Sequence, residues 1–264
     1  MPSGKRRRFI GKKDFQALWN EPDAFVKLSI TSFFLASPGL LGIVFSWMGL
    51  ARAHKAFAEF EYFLYLVSVV LLILAAGYFY RAAFLTLEGA THVLPSWEEP
   101  WQYFQSGLKA VAILACVFSP SIILLTSGLL MMSAGDLFWA TFVFIAASFF
   151  FAFSLAISPV VWFRMIESGE YRWALNLYGV LEDIGAMKLD YGRTFVALFL
   201  IYFLIQMMLL VFGAILSLTP LGMFLSASMV GLVLMFFFSS IVVLLLKETG
   251  ALFTALPYQY KQRP

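Results

Sequence analysis

The chain has 264 residues, of which 62% are hydrophobic and only 12% charged, against roughly 45 to 50% and about 25% in soluble globular proteins. That balance excludes a soluble enzyme and places the chain in lipid. A net charge of +3 points to anionic headgroups rather than nucleic acid, and the lone Cys116 rules out an intramolecular disulfide.

A bilayer core about 30 Å thick needs about 20 apolar residues per helix. A basic segment, residues 1–27, comes first. Apolar runs of span length then follow at residues 28–50, 62–85, 108–132, 137–163, 195–218 and 221–246. Backbone in hydrocarbon must satisfy its own hydrogen bonds, which leaves helices or closed barrels. The runs lack period-2 alternation, so six helices are predicted. Arg6 to Arg8, an apolar run and Ala51-Arg52-Ala53 resemble a signal peptide, but a signal's apolar core has about 7 to 15 residues and this run has span length.

The links divide by charge. Arg52 and Lys55 lie in the link at residues 51–61, and the turns at 133–136 and 217–220 hold no Lys or Arg. All other basic residues fall in the N-terminal segment, the links at 86–107 and 164–194 with their flanks, and the tail at 247–264. The positive-inside rule makes that set cytoplasmic, with both termini on that side.

Taken in pairs, the helices show a weak repeat. Each pair ends in a basic residue, a glutamate and a glycine: Arg81, Glu88 and Gly89; Arg164, Glu167 and Gly169; Lys247, Glu248 and Gly250. Glycine suits a left-handed C-cap, and Arg81–Glu88, Arg164–Glu167 and Lys247–Glu248 are the expected helix-end ion pairs. Within spans, Ser37-Pro38, Ser119-Pro120 and Ser158-Pro159 put a hydroxyl before each helix-breaking proline, where it can take up a freed backbone group.

Two links are amphipathic. Trp97, Trp101, Phe104 and Leu108 recur at helical spacing opposite Glu98, Gln102, Gln105 and Lys109, which predicts an interfacial anchor with Pro100 at N1 that runs into the third span. Trp173, Leu177, Val180, Leu181, Ile184 and Met187 mark a second such face over residues 171–190. It suits docking on the protein's own helix ends or on a partner.

The first of these links resembles the uncharacterised polytopic membrane proteins grouped as domain of unknown function 4013. Gly77-Tyr78, Arg81, Gly89, Leu94-Pro95, Trp97-Glu98-Glu99, Phe104 and Gly107-Leu108 carry the resemblance, over about residues 20–125 and more loosely afterwards. Ser96 stands where an acidic residue is expected, and Phe84 or Leu85 where a second arginine is common. The resemblance implies a multi-helix prokaryotic membrane protein and supplies no activity.

No HExxH, P-loop, GxSxG or paired CxxC occurs, so no catalytic residue, cofactor or metal site is expected. The spans carry no central charge, the usual mark of an ion pathway. Gln206 is their deepest polar group, suited to an interhelical hydrogen bond or a substrate contact.

The expected fold is an all-α integral membrane protein: one domain over residues 1–264, six transmembrane helices in three consecutive hairpins, and amphipathic cytoplasmic interfacial helices. The expected location is a bacterial or archaeal cytoplasmic membrane. The expected role is a non-catalytic scaffold or accessory subunit, partnered by anionic lipid and by other membrane subunits or itself, without nucleic acid. The alternative is a small-molecule or lipid transporter with a neutral, hydroxyl-lined cavity. A third reading, a lipid-acting enzyme, would rest on Arg81, Glu88 and His92.

Overall fold

The computed structural model describes residues 12–48, 55–90, 92–216 and 220–256. Residues 1–11, Arg52, His54, the expected turn at 217–219 and the tail beyond 256 lie outside these. Among the described residues the secondary structure is helical: α1 (Lys12–Trp19), α2 (Ala24–Met48), α3 (Lys55–Leu87), α4 (Pro100–Ser133), α5 (Leu137–Ser168), α6 (Tyr171–Ala174), α7 (Leu177–Leu216) and α8 (Pro220–Thr254). Six of these, α2, α3, α4, α5, α7 and α8, are long and apolar enough to cross a membrane, as the apolar runs predict.

Helices α3 and α7 begin ahead of their apolar runs. Helix α3 begins at Lys55, ahead of its span at Tyr62–Leu87, which starts where the apolar run does, because Lys-Ala-Phe-Ala-Glu-Phe-Glu is built of residues that are compatible with a helix outside hydrocarbon. The segment expected as a surface helix over residues 171–190 is instead a four-residue turn, α6, followed by the opening of α7, which continues unbroken into its span. At 1.5 Å per residue, the 40 residues of α7 reach about 60 Å, twice a bilayer core, so its first third projects beyond the hydrocarbon.

Consecutive spanning helices pack on one another, including α3 on α4, and α8 also lies against α2, α3 and α5. The helices therefore form one continuous bundle with α8 toward its middle. Burial concentrates at one end. Residues 159–165 of α5 are all buried, as are Tyr78, Ala82 and Ala83 of α3 and Val243, Leu244 and Leu246 of α8. Toward the other end, Leu137, Phe138, Trp139, Phe142, Ile145 and Phe149 of α5 are exposed, the pattern of helices solvated by lipid tails.

Close approach between α3 and α4 depends on two glycines. A Cβ on Gly77 would stand 1.8 Å from the Tyr103 carbonyl oxygen, and one on Gly107 would stand 1.9 Å from that of Ile73. Small residues let helix backbones meet in this way within a membrane. At the buried end, Gly250 of α8 lies against Thr86 of α3 and Phe163 of α5. That position corrects the capping expectation. Gly89 and Gly169 are left-handed, with φ of 71° and 70°, and Gly169 caps α5, but Gly250 sits inside α8, which runs on to Thr254, because its lack of a side chain serves packing.

The serine-proline pairs behave as the sequence predicts. Ser37, Ser119 and Ser158 donate to the carbonyls of Phe34, Cys116 and Leu155, at 2.8, 2.8 and 3.1 Å. Each acceptor lies four residues before the proline, so it is the carbonyl that the missing proline N–H leaves without its helical partner.

Candidate functional site

Two knots of polar and aromatic side chains occupy the buried end. The first joins the link at residues 92–99 to the start of α2. Glu21, 6% exposed, precedes α2 and accepts hydrogen bonds from the backbone N–H groups of Val93 at 3.1 Å and Leu94 at 2.9 Å. Lys27 Nζ donates to the Leu94 carbonyl at 3.2 Å, and Trp97 Nε1 donates to the Lys27 carbonyl at 3.3 Å. A carboxylate accepting two N–H groups satisfies donors that the non-helical Val93-Leu94 backbone would otherwise bury unpaired.

Trp97 completes this knot, and its position corrects the expected interfacial stripe. It lies before α4 and turns inward, stacked on Tyr78 with centroids 4.8 Å apart, with Phe34 at 5.1 Å and Tyr103 at 5.0 Å. Tyr103 also donates its hydroxyl to the Ser96 carbonyl. A residue before a proline avoids helical backbone, so Glu99 is the N-cap of Pro100 and Trp97 sits three residues ahead of the helix. Trp101 and Phe104 do share a face, with rings stacked at 5.6 Å, and Trp101 and Leu108 are exposed.

The second knot joins the end of α5 to α6 and α7. Arg164, 3% exposed, pairs with Asp183, 4% exposed, at 2.6 Å between Nη1 and Oδ2. Its Nε donates to the Trp173 carbonyl at 3.3 Å, and its guanidinium carbon lies 3.8 Å from the centroid of the Trp173 ring. A Cβ on Gly179 would stand 2.6 Å from Arg164 Nη2, so glycine there makes room for the guanidinium. Burial raises Asp183 above the usual carboxylate range, while the hydrogen bond and charge of Arg164 pull it part of the way back.

The other candidates scatter. Val180 is buried and Ile184 packs on the core, whereas Leu177 is exposed, because the face that turns inward runs through Val180, Asp183, Ile184 and Met187. Arg164 takes Asp183, which the sequence did not suggest, as a close ion-pair partner, since the turn at α6 folds α7 back over it. Arg81 lies over the Phe84 ring at 4.7 Å and forms no ion pair with Glu88, which is exposed, as is His92. Lys247 and Glu248 are half-buried in the last turns of α8, and Gln206 is half-buried in α7.

Between the spanning helices lies a cavity of about 450 Å³ to which all six contribute. Its lining is apolar apart from Ser158, Tyr202 and Trp162, and Gln206 is not part of it. The Ser158 hydroxyl is already bonded to Leu155, whereas Trp162 Nε1 is buried without a partner. A groove of about 490 Å³ between α4 and α5 carries Ser121 and Ser148.

The model of a family described as a protein of unknown function (DUF4013) matches residues 60–214, more than half of the chain. The chain belongs to this family. No curated protein and no solved structure matches it. The DUF4013 match covers Gly77, Tyr78, Leu94, Trp97 and Gly107, the residues of α3, α4 and their link that interlock. It also covers Arg164, Trp173 and Asp183. Glu21 and Lys27 fall before it. Sequence reasoning overlooked Glu21 and Asp183, because neither belongs to a local spacing pattern and each meets its partners only through the fold.

Proposed function

We propose that this DUF4013 protein is a non-catalytic membrane subunit, a scaffold or accessory component whose compact end lies at the cytoplasmic side. One observation carries the reading. The buried charged groups Glu21, Arg164 and Asp183, and the half-buried Lys27, each engage the chain's own backbone or one another, so they are spent on holding helix ends together. Arg81, Arg164, Arg172 and Lys247 gather at that same end, which supports a cytoplasmic setting beside anionic lipid. The exposed Trp101 and Leu108 on α4, with the half-buried Phe104 between them, and separately Leu177 and Leu181 on α7, offer apolar surface to neighbouring subunits.

Gentle extraction of the native protein followed by native mass analysis tests this. A stable larger assembly is expected, weakened by Trp101→Ala together with Leu108→Ala. A solitary chain under several mild detergents overturns it. The lipid-transporter reading has one observation in its favour, the apolar cavity between the spans.

A further inference from the structure

The cavity between the spanning helices differs from a packing flaw in size, position and chemistry. Protein interiors hold few voids larger than a water molecule, and an apolar cavity of roughly 150 Å³ stays dry and takes up benzene. At about 450 Å³ this one lies in the range of ligand sites, roughly 300 to 1,000 Å³. Its walls give water almost nothing to bond to, and the medium around the spans is hydrocarbon.

Its placement limits what fills it. On α4 the lining runs from Val111 to Phe118, and on α5 from Trp162 back to Leu155. Each stretch covers eight residues, about 10 Å along the helix axis. The cavity therefore spans about a third of a bilayer core about 30 Å thick, toward the compact end. Val111 and Phe199 line it while remaining exposed, which opens a route to surrounding lipid.

One polar group marks its upper end. Trp162 is the lining residue of α5 nearest that helix's buried terminus, it is 6% exposed, and its indole N–H has no acceptor. Buried indole N–H groups usually find a partner, and an unmet donor at this depth carries a desolvation cost. A glycerolipid from the adjacent leaflet supplies the match: its acyl chain runs inward from its ester carbonyl, so the tail fills the apolar walls while the carbonyl reaches the level of Trp162.

We propose that the cavity is a binding site for one acyl chain of a membrane glycerolipid, whose ester carbonyl accepts a hydrogen bond from Trp162 Nε1. This assignment stands apart from the scaffold reading and survives its failure.

The full-length protein, released from its membrane in mild detergent, is taken to native mass spectrometry with identification of retained lipid. One glycerolipid per chain is expected. Val242→Trp, which fills the cavity, abolishes retention. Trp162→Phe keeps the ring's bulk but removes the donor, and weakens retention several-fold, the worth of one neutral hydrogen bond. A second measurement is independent of whether Val242→Trp folds. In vesicles of phosphatidylcholine brominated on the acyl chain, the fluorescence component lost in Trp162→Phe is quenched, although Trp162 is shielded from bulk lipid. A chain that retains no lipid, equal retention in a folded Val242→Trp variant, a free fatty acid as the sole occupant, or an unquenched Trp162 component each overturns the proposal.

Discussion

Arg164 and Asp183 show how a single buried pair joins sequence-distant elements. Taking two charges out of water is costly, and only close geometry with further hydrogen bonds offsets it; here the Trp173 carbonyl and ring supply those contacts. Arg164→Met removes both influences that lower Asp183, leaving burial unopposed, so its pKa rises further. A carboxyl whose folded pKa exceeds the unfolded value of about 3.9 stabilises the fold below that value and loses the contribution as pH rises through the folded pKa. The variant's deficit against the parent is therefore smallest in acid. It grows toward neutral pH by about 1.4 kcal/mol for each tenfold gain in proton affinity. Thermal unfolding in detergent at stepped pH measures it, and a deficit that does not change with pH refutes the account. The pair was illegible in the sequence for a simple reason: Glu167 stands three residues from Arg164 and fits the helical spacing rule, whereas Asp183 is brought in by the turn at α6. Trp97 misled in the same way, since its spacing from Trp101 suits a helix that Pro100 forces to begin later.

At the scale of elements, more was legible. The apolar runs became spans, and the serine before each proline took up the carbonyl that the proline frees. Gly77 and Gly107 were readable as family markers, but only the backbone contact explains them. Adding a methyl group at either position drives it into a carbonyl of the facing helix, which no rotamer change relieves. Gly77→Ala and Gly107→Ala are expected to lower stability by about 3 kcal/mol or more, the upper range for overpacked sites. Gly185, in the projecting part of α7, has open space where a methyl group would stand, with nothing within 4 Å. Gly185→Ala is expected to be neutral or to stabilise by up to about 1 kcal/mol through helix propensity. Comparing the three by thermal unfolding separates packing from propensity; similar losses at all three positions would refute the contact argument.

For the whole molecule, the deciding feature is that links far apart in sequence meet at one end of the bundle. Glu21 bonds the backbone at Val93 and Leu94, Gly250 touches Thr86 and Phe163, and Arg164 holds Asp183. An even number of spans returns the chain to the side it left, so segments joined by these contacts must share a side whatever the orientation. Basic residues then choose which side, because short loops rich in Lys and Arg resist translocation. Single cysteines at the exposed positions Glu98 and Tyr178, introduced with Cys116 replaced by Ala, convert this into a measurement with a membrane-impermeant thiol reagent. Both are expected to resist labelling in intact cells and to react together once the membrane is opened or inverted. Labelling of one without the other would break the contacts around Glu21 and Arg164 at once, whereas labelling of both from outside would spare the fold and reverse only its orientation.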